Sequence, residues 1–197
     1  MNLSLLILLP LLTALLILLS KQLAQIRVIG LVGSLAQLGA ASWLLKLYMD
    51  QRAAGNTATH LFETNTVWFK ALNINYHIGI DGIALAMILL TSLIVVAGIL
   101  VSWTMEKLSK EYFFLLVLLS MGAYGFFISL DLFTLFFFLE VAVIPKFLLI
   151  GIWGSGDKTK SAMKLALMLM AGSALVMVGL FGVYYNTHSF DIIQITQ

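Results

Sequence analysis

Charge is almost absent from six stretches of this chain, and each is long enough to cross a bilayer. They are Asn2–Leu19, Val28–Leu45, Gly79–Trp103, Tyr112–Leu130, Leu132–Trp153 and Ser161–Tyr185. A hydrocarbon core of about 30 Å takes a helix of about 20 apolar residues, so runs of this length are read as spans. Composition agrees. The chain is 61% hydrophobic, with a mean hydropathy of +1.05. Only 10% of its residues are charged, against about 25% in a typical soluble domain. No soluble core could absorb so much apolar sequence. The expected fold is all-α: a polytopic membrane helix bundle of about six transmembrane helices.

Several functions drop out at once. The chain has no cysteine, which excludes disulfides, thiolate metal sites and cysteine-ligated iron–sulfur clusters. Three scattered histidines give a metal little to bind, and no metal or nucleic-acid partner is expected. The charge-free first 20 residues lack the basic n-region of a secretory signal and read as a retained first span.

The links between spans hold most of the charge and set the orientation. Lys21, Arg27, Lys107, Lys110, Lys158 and Lys160 sit in the short loops after spans 1, 3 and 5. The other side holds Lys46, Arg52 and Lys70 in one long loop, offset by Asp50 and Glu63. Basic residues in short loops mark the cytoplasmic side, so the N-terminus is expected outside. With six spans, the C-terminus lies outside too. The long connection, residues 46–78, alternates through Val67, Phe69, Leu72 and Ile74 as a short surface β-hairpin would. This divides the chain into residues 1–111 (three helices with the long outside loop), 112–185 (three more helices) and an outside tail, 186–197. Small residues four apart, Gly30 with Ser34, Ala36 with Ala40 and Gly125 with Ser129, suit close helix packing.

Within that pattern Glu140 stands out. It is a lone carboxylate in the apolar run Leu132–Pro145, nine residues from Asp131 and so about 13 Å along a helix. That places it near mid-membrane, where an ionised side chain costs roughly 2.5–3.5 kcal/mol on insertion scales and is usually functional. Pro145 cannot supply the N–H for the Val141 carbonyl and is expected to disturb, as a kink, the helix beside the carboxylate. Burial raises a carboxyl pKa and a nearby cation lowers it, so a group held between the two can load and release a proton. The plainer alternative is a protonated glutamate that hydrogen-bonds a neighbouring helix.

Two lysines also interrupt apolar sequence. Lys146 lies seven residues from Trp153, about 10 Å from the interface, and is expected to snorkel there. Being six residues from Glu140, it points to another face of the helix. Lys164 begins span 6 one turn inside Lys160, where it too can snorkel. Alternatively it faces the bundle between cytoplasmic water and Glu140, tuning that group or relaying protons to it. Asp81 and Asp131 precede apolar runs and read as helix caps.

These residues carry a resemblance. Leu130-Asp131-Leu132-Phe133, then Phe138-Leu139-Glu140-Val141-Ala142-Val143-Ile144-Pro145 and Gly151-Ile152-Trp153-Gly154, resemble the antiporter-like subunit M (chain 4) of proton-pumping NADH:quinone oxidoreductase, respiratory complex I. His77-Ile78-Gly79-Ile80-Asp81-Gly82 and Ser161-Ala162-Met163-Lys164-Leu165 extend the match. Lys146 departs from it, standing where an apolar residue is expected. The resemblance implies a role for Glu140, with Lys164, in proton translocation coupled to quinone reduction elsewhere. It also implies other membrane-arm subunits as partners, an inner-membrane location, and NADH, flavin, iron–sulfur clusters and quinone in other subunits rather than in this one. It implies as well a fold of about fourteen helices with inverted repeats, of which this chain would be the N-terminal portion. The family's later lysine partner for the glutamate would lie beyond Gln197, and the isolated chain is expected not to translocate protons. A subunit of a multi-subunit cation/proton antiporter is the alternative.

Overall fold

The structure, a computed structural model, describes residues 2–70 and 73–196. Its elements in chain order are α1 (Leu5–Leu19), α2 (Leu23–Ala53), β1 (Leu61–Phe69), β2 (Ile74–Ile80), α3 (Gly82–Val101), α4 (Ser109–Ile128), α5 (Leu132–Trp153), α6 (Lys158–Thr187) and the single turn α7 (Ile192–Ile195). Helices α2 to α6 are long and apolar enough to cross a membrane. The first expected span is shorter than its apolar run: α1 has 15 residues, about 22 Å at 1.5 Å per residue.

The second span errs the other way. Expected over Val28–Leu45, α2 runs from Leu23 to Ala53. Hydropathy reports where lipid ends, whereas a helix continues into the interface if its backbone stays bonded. Past Leu45 the side chains support it locally. Arg52 stacks over the Tyr48 ring with its guanidinium carbon 5.1 Å from the ring centroid, and donates to the Tyr48 hydroxyl at 2.9 Å. These are the one-turn pairs that stabilise a helix surface.

The hairpin expected in the long loop is present. Strands β1 and β2 pair antiparallel, with Asn65 opposite His77 and Val67 opposite Asn75. Leu72, one of the four alternating residues, lies outside the described residues. Strand β2 continues through Ile80, so α3 starts later than Gly79. Its cap is Asp81, whose carboxylate accepts from Ala84 N at 2.7 Å.

Hydrogen bonds between elements define the two ends of the bundle. At one end the Tyr76 hydroxyl of the hairpin donates to Ser4 beside α1, at 3.3 Å, and Leu130 N donates to the His77 carbonyl at 2.8 Å. At the other, Arg27 of α2 donates to the Met105 carbonyl at 3.1 Å. There too Trp153 of α5 donates to the Lys107 carbonyl at 2.9 Å. The links bearing Lys21 and Lys107, and the start of α6 at Lys158, therefore gather at the end opposite the hairpin.

Helix α4 is the hub, packed on α1, α2, α3, α5 and β2. Its seam with α5 needs glycine. A Cβ on Gly122 would lie 2.9 Å from the Ala142 Cβ and 3.0 Å from the Phe138 carbonyl oxygen, and one on Gly125 would enter the Phe138 ring. Of the small-residue pairs, Gly30 and Ser34 are buried inside the bundle, whereas Ala36 is exposed. Apolar clusters fill both ends of the α1–α4 bundle, around Leu6, Leu44, Ile88 and Ile128 at one and around Ile17, Ile99 and Phe113 at the other. Helix α6 packs on α5 and its apolar span is otherwise exposed.

Candidate proton-binding site

Glu140 lies on α5, where Ala142 and Val143 are buried and Ile144 is exposed. It is half-buried. Its carboxylate opens into a cleft of about 550 Å³ between α5 and α6, walled by Phe137, Ile144, Phe147, Met163, Leu167 and Met170 among others. Every other residue of that wall is apolar. One carboxylate oxygen, Oε1, is buried without a hydrogen-bond partner. A buried polar oxygen without a hydrogen-bond partner is costly whichever protonation state the carboxyl holds.

The cleft forms because α5 and α6 are antiparallel neighbours joined by the short Gly154–Asp157 link. From the Trp153 end Glu140 is thirteen residues up α5, about 20 Å, while Lys164 is six residues up α6, about 9 Å. Lys164 is thus closer to the basic end, and it is exposed while its neighbour Met163 lines the cleft. The structure does not bring Lys164 into contact with Glu140; the ion pairs among the described residues both involve His77. Lys146 sits on another side of α5, in a groove with Gly122 and Phe126 of α4, which agrees with its expected angular offset from Glu140. Helix α5 runs unbroken through Pro145. The effect of Pro145 is the N–H it denies the Val141 carbonyl, one residue beyond Glu140.

The cleft is framed at the hairpin end by an ordered polar junction. Asp131, fully buried, caps α5 by accepting from Phe133 N and Thr134 N, each at 3.0 Å. It also accepts from Asn75 N of the hairpin at 3.2 Å. Burial raises its carboxyl above the ordinary value, although the bonds from Thr134, Asn75 and Phe133 pull it down. The Thr134 hydroxyl donates to the Asn75 carbonyl at 3.1 Å. Trp68 of β1 meets the Phe137 ring edge-on at 5.8 Å, so the hairpin touches a wall of the cleft.

Sequence reasoning missed one constellation here. His77 Nδ1 lies 3.0 Å from Asp191 Oδ2, with both residues buried. A carboxylate oxygen at that distance accepts when the imidazole Nδ1 carries the proton, so the pair forms a hydrogen bond in that tautomer. His77 Nε2 then faces Glu63 Oε2 at 3.8 Å, beyond hydrogen-bond length. Asp191 also caps α7 through Ile193 N at 2.9 Å. Its backbone neighbours tie the chain after α6 to the start of α5, with Leu132 N to the Phe190 carbonyl at 2.8 Å and Ile192 N to the Leu130 carbonyl at 2.9 Å. A signal existed: Phe190-Asp191-Ile192-Ile193 repeats the apolar–Asp–apolar–apolar cap pattern of Leu130-Asp131-Leu132-Phe133.

Residues 129–197 match the family described as NADH:quinone oxidoreductase/Mrp antiporter, transmembrane. F(420)H(2) dehydrogenase subunit M of Methanosarcina mazei is 32% identical over 184 residues, which cover 93% of this chain and 36% of that protein. NADH-quinone oxidoreductase subunit M of Rickettsia typhi is 29% identical over 198 residues, covering 98% and 40% respectively. Among solved structures, a chain of respiratory complex I from Thermus thermophilus with bound NADH superposes with a TM-score of 0.78 at 22% identity, over 98% of this chain and 38% of that one. The chain therefore spans well under half the length of the relatives it matches.

Proposed function

We propose that the chain is an antiporter-like membrane subunit of the NADH:quinone oxidoreductase/Mrp antiporter family, which its residues 129–197 match and to which the names of its relatives point, and that Glu140 is the proton-binding group of this proton-translocating membrane-arm subunit. The observation that carries this reading is the buried, unpartnered Oε1 of Glu140 in an otherwise apolar cleft. Neither charge state of the carboxyl is satisfied by the walls. Its protonation is then decided by whatever charge stands nearby: an approaching cation favours release, and its withdrawal favours uptake. Energy from quinone reduction elsewhere in a multi-subunit complex would drive that change of charge. In this reading the redox groups (NADH, flavin, iron–sulfur clusters and quinone) belong to other subunits.

Lys164 is assigned the part of a distant modulator on the supply side of Glu140, acting through space. The end carrying Lys21, Arg27, Lys107, Lys110, Lys158 and Lys160 is assigned to the cytoplasm by the basic-loop rule, and the hairpin with the N-terminus to the outside. Protons would enter from the lysine end and leave at the hairpin end.

The test is Glu140→Gln in the full-length protein within its assembled complex. Positioned proton-transfer groups contribute about 10²–10⁴ to rate, so proton pumping and coupled quinone reduction should both fall at least about tenfold, with Glu140→Asp retaining part of each. Wild-type rates in Glu140→Gln would remove the role. The family description also covers Mrp antiporters, which gives a second reading as a subunit of a gradient-driven cation/proton antiporter. The names of the dehydrogenase relatives favour the redox reading, and genes for NADH- and quinone-binding subunits beside this one would separate the two.

A further inference from the structure

Away from Glu140, the middle of the α1–α4 bundle holds a small polar cavity between its two apolar clusters. It is lined by Thr13 of α1, Ser34 and Gln37 of α2, and Ser120 and Tyr124 of α4, with Pro10 at its edge. All five polar residues are buried, Tyr124 completely. The Gln37 Oε1 and Tyr124 hydroxyl have no hydrogen-bond partner. They lie side by side, yet no bond of normal length and angle joins them.

The sequence explains why Gln37 is there. Pro10 lacks the N–H that would serve the Leu6 carbonyl one turn earlier, and Gln37 Nε2 supplies the missing bond at 3.1 Å. That bond also fixes the amide: turned over, its oxygen would face the Leu6 carbonyl, acceptor against acceptor. The carboxamide oxygen must therefore look into the cavity.

The remaining lining groups are acceptors too. The Thr13, Ser34 and Ser120 hydroxyls already donate to the Leu9, Leu31 and Val117 carbonyls of their own helices, which leaves only oxygen lone pairs toward the cavity. The Tyr124 hydroxyl is the one donor still free. A ligand suited to this cage is neutral, because no charged residue lines it and an ion in such surroundings would be uncompensated. It offers two donors and accepts one. The cavity, about 10 Å³, is the size that admits one water molecule, and buried waters with two to four partners are a regular part of protein interiors.

We propose that this cavity is a binding site for a single internal water. The water accepts from the Tyr124 hydroxyl and donates to Gln37 Oε1 and to one of the serine or threonine oxygens. It thereby joins α2 to α4 and holds the Gln37 amide in the orientation that serves α1. The site is independent of the role given to Glu140.

A density map of the full-length protein in its complex, fine enough to show ordered waters, tests this. Expected is a peak within about 2.6–3.2 Å of both Gln37 Oε1 and the Tyr124 hydroxyl oxygen. In Ser120→Val, whose larger side chain would fill the cavity, the peak should be lost while the Gln37–Leu6 bond remains. No peak in the wild type, with Tyr124 donating directly to Gln37, would overturn the proposal. So would a peak that persists in Ser120→Val. If that variant fails to fold, the wild-type map decides alone.

Discussion

Two carboxylates, one capping α5 and one on its first half, are treated in opposite ways. Asp131, fully buried, receives three backbone N–H groups, so it is a structural clamp between helix and hairpin. Glu140 has a buried oxygen that receives none. A satisfied carboxylate holds structure, while an unsatisfied one responds to its surroundings, and that difference separates cap from candidate site more firmly than depth alone. For Asp131 the pH dependence follows from the raised folded pKa. A carboxyl raised on folding adds stability that is complete below its unfolded value, about 3.9, and is lost as pH rises through the folded value. The thermal midpoint of the detergent-solubilised full-length protein should therefore decline from acid toward neutral pH relative to Asp131→Asn, which cannot ionise. A pH-independent gap between the two would show that burial is not what governs this group. At Lys164, exposed and about two turns short of the level of Glu140, substitution by Met should slow proton transfer less than Glu140→Gln does. An equal loss in pumping assays would mean that Lys164 touches the proton path directly.

At the scale of elements, α4 against α5 is the joint that places Glu140. Adding a Cβ at Gly125 drives it into the Phe138 ring, and at Gly122 into Ala142. Overpacking of this kind costs about 1–3 kcal/mol, so Gly125→Val should lower the unfolding free energy by that order, read as a fall in the denaturation midpoint. Gly39, with nothing near its Cβ position, should tolerate alanine far better; equal losses would deny the seam its special closeness. How much of these elements was legible follows from which signals are local. The apolar runs located α3 to α6 within a few residues, and alternation found the hairpin, because both signals lie in consecutive residues. Helix ends were misjudged where hydropathy stops but backbone bonding does not, as at Tyr48–Arg52 of α2. Glu140 was legible because a charge in an apolar run is visible without partners. The His77–Asp191 pair joins residues 114 apart in sequence, and the Gln37 bond to Leu6 depends on how α1 packs on α2; neither leaves a periodic trace.

Taken whole, the molecule is a polarised bundle. One end gathers the short basic links, and the other carries the hairpin, the buried acids Asp131 and Asp191, and His77. The proposed direction of proton movement depends on which end faces the cytoplasm. These 197 residues contain no cysteine, so single cysteines report cleanly. Asn65→Cys on the exposed hairpin should react with an impermeant thiol reagent added outside, and Lys107→Cys only from the cytoplasmic side. Reaction of both from one side would break the two-ended description, and the reverse pattern would invert the orientation.

The central claim is that Glu140 changes protonation during turnover. Infrared difference spectroscopy of the assembled complex reads this directly, because a protonated carboxylic acid buried in an apolar cleft has a carbonyl stretch separate from that of a carboxylate. The account predicts a carbonyl band that appears and disappears between resting and turning-over states in the wild type, shifts on deuteration, and is absent in Glu140→Gln. A difference spectrum in that region that is the same in Glu140→Gln as in the wild type would contradict it.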